Sequence, residues 1–111
     1  RASERVALTI SDPGGVITAE TKNLSASGAY CTLERFIAPM TKLQLQFELP
    51  DGPRQVTVRC YGVVVRIDPV VVNPERALYH VAIFFSDLGE RERSAISRFV
   101  RGRLSAASPT D

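Results

Sequence analysis

Tryptophan is absent from the 111 residues, methionine and histidine occur once each, and cysteine occurs twice. Each shortage removes a class of function. Cys31, Cys60 and His80 do not make a four-ligand zinc set. The two cysteines sit in strand-like apolar segments and read as small buried hydrophobes in a reducing, cytoplasmic compartment. His80 has no serine or cysteine nucleophile in its sequence context and reads as a strand residue. No metal cluster or paired acidic motif stands out, so the chain does not read as an enzyme and calls for no cofactor. Aromatics make up only 7% of residues, which argues against the stacking platform of a single-stranded nucleic-acid groove. No apolar run approaches the roughly 20 residues that cross a bilayer, and Val63-Val64-Val65 is strand-sized. There is neither an initiator methionine nor a cleavable signal pattern, and we expect a piece of a longer chain with a partner protein or attached domain upstream of residue 1.

Lysine is scarce too. Formal net charge is only +2, too small for bulk binding to a polyanion, yet twelve of the fourteen basic residues are arginine. Arginine is favoured where planar, bidentate recognition of phosphate or guanine matters.

What is present is mostly strand signal. Val6–Ile10 alternates apolar with small or polar residues, and Val16–Thr21 is rich in β-branched residues beyond a Pro-Gly-Gly turn cluster. Asn23 to Gly28 breaks the pattern with short polar residues that favour a turn, and Gly28 is a candidate for positive φ or for close backbone approach. Ala29–Leu33 resumes a strand. The clearest strand sets Leu43, Leu45, Phe47 and Leu49 on one face and Gln44, Gln46 and Glu48 on the other. Pro50-Asp51-Gly52-Pro53 is a strong hairpin signal. Val56–Ile67 follows as a long strand with Gly62 as a bulge or bend. Residues 68–77, with Pro69 and Pro74, read as a mobile loop before the last strand, Tyr79–Phe85. A helix then opens on Asp87 and Glu90, near to a capping box, and carries Ala95, Ile96, Phe99 and Val100 as its apolar stripe. These signals predict a mainly β domain: a six-stranded antiparallel, split barrel with one C-terminal amphipathic helix. Residues 1–104 form this domain, with 1–5 as a flexible arm and 105–111 as a disordered tail.

Two motifs carry chemistry. Arg1-x-x-x-Arg5 places two cationic forks before the first strand, each able to meet phosphate oxygens or the O6/N7 edge of guanine. Asn23-Leu24-Ser25-Ala26-Ser27-Gly28 supplies short donors and acceptors on a turn. Alone, the first is a solvated tail and the second an ordinary turn. In this order, ahead of this strand pattern, they resemble the PilZ domain family of bacterial cyclic di-GMP receptors.

The resemblance extends through Gly28–Leu33, Val63-Val64-Val65-Arg66 and Val81–Phe85 with its helix. It implies that Arg1 and Arg5 bind phosphate and guanine, that Asn23 and Ser25 contact a guanine, and that Gly28 lets the backbone fit. Ser27 and Arg66 are further candidates, although a solvent-facing place suits Arg66 better. Tyr30 fits either stacking on a base or burial in the barrel. The family's turn opens more often with Asp than with Asn, and its extra arginine beside the first motif arginine is missing here. The resemblance also implies no catalysis and a signal sent through a partner, the arm ordering over the barrel on binding. A PilZ-like scaffold that binds only protein is the alternative, and exposed helix and edge surfaces allow a homodimer. Direct membrane insertion and nucleic-acid binding are not expected.

Overall fold

The computed structural model describes residues 6–12 and 14–107, with backbone alone at 12 and 103–107. Six strands follow one another as β1 (Ala7–Asp12), β2 (Gly15–Leu24), β3 (Gly28–Leu33), β4 (Lys42–Asp51), β5 (Arg54–Asn73) and β6 (Arg76–Phe85). A single helix, α1 (Glu90–Ala107), comes last. The strands close into a ring in the order β1-β2-β3-β6-β5-β4, every neighbour antiparallel, with β4 returning to β1. The predicted mainly β barrel with a terminal helix is therefore the observed fold.

Period-2 patterning explains the inside of the ring. β4 alternates without a fault between exposed and buried residues along Lys42–Pro50, so Leu43, Leu45, Phe47 and Leu49 all reach the core. Leu8 and Ile10 of β1, Cys31 of β3, Val58 and Val64 of β5 and Val81 of β6 meet them there. Ile96 and Phe99 from α1 join the same core. Full burial of a side chain such as Ile96 contributes about 1.5–3 kcal/mol. Arg98 pairs with Asp51 at 3.1 Å, which ties the helix to the β4–β5 turn. In that turn Gly52 has φ 64° and precedes Pro53, the arrangement a type II′ hairpin uses.

Several local expectations are corrected. Residues 68–77 are not a loop: β5 and β6 stay paired out to Asn73 and Arg76. The β-branched Val70-Val71-Val72 favours extended chain, and Pro69 sits at a register shift, where its missing N–H is tolerated. Pro74 lies in the turn itself, where Asn73 Oδ1 accepts the amides of Glu75 and Arg76, each at 2.9 Å. Gly62 is no bulge, since the slip comes later, between Val64 and Arg66. A Cβ on Gly62 would stand 2.6 Å from Ile83 Cγ2 and 2.7 Å from Leu45 Cδ1, so this glycine makes room for core side chains.

The helix start also differs. Asp87 accepts the Tyr61 amide at 2.6 Å instead of capping α1, and the helix begins at Glu90. It then runs through Gly102 to Ala107, beyond the expected start of the tail; residues 108–111 lie outside the described residues.

Candidate ligand-binding face

The outer face of β2, β3, β5 and β6 collects most of the motif. Its geometry starts from a bulge. β2 pairs Thr21 with Cys31 but then Asn23 with Tyr30, leaving Lys22 as the extra residue. Buried positions along β2 accordingly run Ala19, Thr21, then Leu24, and the change of parity sends Asn23 outward. Plain alternation would have put Asn23 on the same side as Thr21.

The turn that follows is built around one hydroxyl. Ser25 Oγ accepts the amides of Ser27 and Gly28, each at 3.3 Å, and lies 3.0 Å from Ser27 Oγ. The Ser25 amide donates to the Gly28 carbonyl at 2.9 Å. Neighbouring elements clamp this turn from outside: the Phe85 amide donates to the Ser27 carbonyl at 2.9 Å, and Arg93 Nη1 donates to the Ala26 carbonyl at 3.1 Å. Both serines remain exposed, so their hydroxyls face solvent from a fixed frame.

Gly28 has ordinary strand backbone rather than the positive φ found at Gly15 and Gly52. Close approach is the reason for glycine here. A Cβ would run into the Ile83 carbonyl oxygen across the β3–β6 ladder. The contact that demands glycine is thus with the neighbouring strand.

Beside the turn lies an open groove of about 490 Å³, with Asn23, Ser25, Ser27 and Tyr30 on one side and Val65 and Phe84 on the other. Val65 is 53% and Phe84 51% exposed, forming an apolar shelf on that side. Asn23 Oδ1 is buried and has no hydrogen-bond partner among the described residues. Such an orphaned acceptor costs about 1–3 kcal/mol. Tyr30 lies half-buried on the outer face, its ring 5.5 Å from that of His80. The alternative of burial inside the barrel does not hold.

Asn23, Ser25, Ser27 and Gly28 are therefore brought together. Arg66 is not: it does not line the groove, and its Nε pairs with Asp68 at 2.8 Å. Arg1 and Arg5 lie outside the described residues. Sequence reasoning missed Val65 and Phe84 as groove residues. The signal was available for both: alternation with Val81, Ile83 and Phe85 points Phe84 outward, and alternation with Val58, Cys60 and Val64 does the same for Val65.

The two thiols are held protonated. Burial pushes the Cys31 thiol up to about 12 and that of Cys60 to about 11, with the Asp87 and Glu92 carboxylates adding to the second shift. Among the described residues, no three His, Cys, Asp or Glu side chains are grouped to hold a metal ion. No helix among them is long and apolar enough to cross a membrane.

A closed six-stranded antiparallel barrel with a terminal helix and a serine turn at its outer groove defines the class of domain. The family model for the PilZ domain matches residues 1–102. The chain belongs to the PilZ domain family. No curated protein matches it. Among solved structures it is similar to the Bacillus subtilis inhibitor of motility, MotI/DgrA, at 18% identity and a TM-score of 0.81, over 96% of this chain and 50% of that one. MrkH of K. pneumonia is similar at 14% identity and a TM-score of 0.76, over 100% of this chain and 49% of that one. Its apo state gives 14% and 0.77, over 100% of this chain and 51% of that one. The chain thus spans about half the length of these structures, and at such identities the likeness is one of fold.

Proposed function

We propose that this domain is a cyclic di-GMP receptor. The observation that carries the reading is the unpaired, buried Asn23 Oδ1 at the edge of an open apolar groove, in a chain of the PilZ family. A guanine laid against Phe84 and Val65 would bring N–H donors to Asn23 once its amide turns toward the groove, and Ser25 and Ser27 would meet the remaining polar edge or a phosphate. Tyr30 would border the base, and Gly28 would keep β3 close enough to β6 to hold the shelf flat. Arg1 and Arg5 would supply the forks for phosphate and for guanine O6/N7. Ordering of that arm over the barrel would relay binding to an attached or separate partner. The reading assigns no catalysis, cofactor or metal to the chain.

A second reading keeps the fold as a scaffold for protein alone. It is favoured by the exposed Val70 and Val72 on the projecting β5–β6 ribbon. Isothermal titration of cyclic di-GMP into the domain, with GTP and cyclic di-AMP as controls, separates the two. Saturable, guanine-selective heat supports the receptor. No heat at tens of micromolar ligand from folded protein favours the scaffold.

A further inference from the structure

Thr21 lies outside both motifs and bonds to the residue that follows the first of them. Its side chain is polar, yet the residue is only 2% exposed. The Thr21 amide donates to the Val6 carbonyl at 3.0 Å, and Thr21 Oγ1 accepts the Val6 amide at 3.2 Å. Val6 is itself buried and is the residue that follows Arg5 in the chain. The β1–β2 ladder pairs Ala7 with Glu20, so Thr21 carries the pairing one residue further. There its hydroxyl stands where a regular ladder would offer a backbone carbonyl. Directly beyond Thr21 comes the bulge that turns Asn23 onto the outer face.

We infer that Thr21 is a positioning residue for the nucleotide site, holding the point where the Arg1–Arg5 segment joins the barrel in fixed relation to Asn23. The inference rests on the cyclic di-GMP reading above. Among the described residues the Val6 N–H donates to Thr21 Oγ1, and a buried donor must be satisfied. Valine at position 21 would match threonine in shape and remove the acceptor. The Val6 amide would then be orphaned and the junction with the arm loosened, while the groove itself stayed intact. Serine would restore the acceptor.

The test is titration of cyclic di-GMP into the full chain as wild type, Thr21→Val and Thr21→Ser, with hydrogen exchange read at the Val6 amide. Thr21→Val is expected to bind about tenfold more weakly and to exchange Val6 about tenfold faster. Thr21→Ser is expected to return both readouts to within about threefold of wild type. Should the valine variant fold poorly, Thr21→Ala removes the same acceptor with less bulk. Unchanged affinity in a folded variant lacking the hydroxyl overturns the inference and leaves the nucleotide site standing. Equal weakening in the valine and serine variants overturns it as well. No heat from the wild type overturns the receptor reading, and this inference with it, a result visible before any variant is compared.

Discussion

Arg93 on α1 reaches back to the motif turn and donates from Nη1 to the Ala26 carbonyl at 3.1 Å. The two residues are 67 apart in sequence, and this bond is a direct tie between the terminal helix and the candidate ligand face. It stiffens the loop that carries Ser25 and Ser27. Any ligand that draws on this turn must act against, or together with, the helix.

Replacing Arg93 with alanine therefore separates local order from global stability. The bond is exposed, so its loss is expected to lower unfolding free energy by no more than about 1 kcal/mol. Cyclic di-GMP affinity is expected to fall about threefold to tenfold, because the turn must be ordered on binding. Denaturant titration alongside calorimetry checks the contrast.

Asn23→Ala should move stability and binding in opposite directions. Removing a buried acceptor that lacks a partner spares the unliganded domain about 1–3 kcal/mol, offset by the packing lost with the side chain, so its thermal midpoint is expected to hold or rise. Binding should weaken by more than about tenfold, as the base edge loses a hydrogen-bonding partner. A midpoint that falls together with affinity would instead make Asn23 a structural residue.

Gly28→Ala is expected to fail as a fold before it fails as a site. The new methyl meets a backbone carbonyl on β6, which cannot swing aside as a side chain does. Overpacking of this kind costs about 1–3 kcal/mol. A lowered thermal midpoint in the absence of ligand is the readout.

Arg1→Ala and Arg5→Ala should each abolish nucleotide binding and leave the thermal midpoint where it was. Neither residue belongs to the core pattern. Unfolding of either variant, or unchanged binding, would remove the arm from the site.

Alkaline pH should weaken the fold through its thiols. Cys31 is held at about 12 and Cys60 at about 11, against an ordinary value of 9.0 for each. The unfolded chain therefore loses these protons first as pH rises. Their stabilising contribution is complete below pH 9.0 and is lost as pH climbs to about 11 for Cys60 and about 12 for Cys31. Denaturation midpoints should fall between pH 9 and 10.5, and less steeply in Cys31→Ala than in wild type. Native thiols should also resist alkylation at pH 8 until denaturant is added.

Much of this domain was readable before any coordinates. Leu43, Leu45, Phe47 and Leu49 alternate with polar residues, and a strand buried on one face satisfies that pattern in only one way. Asp51-Gly52-Pro53 marked its hairpin, and Ala95, Ile96 and Phe99 marked the face of the helix. The arginine pair and the Asn-x-Ser-x-x-Gly turn pointed to the family. Prolines misled: Pro69 and Pro74 suggested a loop where the β5–β6 ribbon continues, because a register slip and a tight turn accommodate them.

Local chemistry, acting over a few residues, was thus determined by the sequence alone: strand alternation, turn residues, the amphipathic helix and the residue types of the motif. Barrel closure decided the rest, because it sets register between strands distant in the chain. The bulge after Thr21 reverses the facing of Asn23, the slip after Val64 turns Arg66 outward where plain alternation would aim it at the core, and the Ile83 carbonyl excludes any side chain at position 28. Each depends on what a neighbouring strand presents at that level of the ring, and periodicity along one strand carries no record of it.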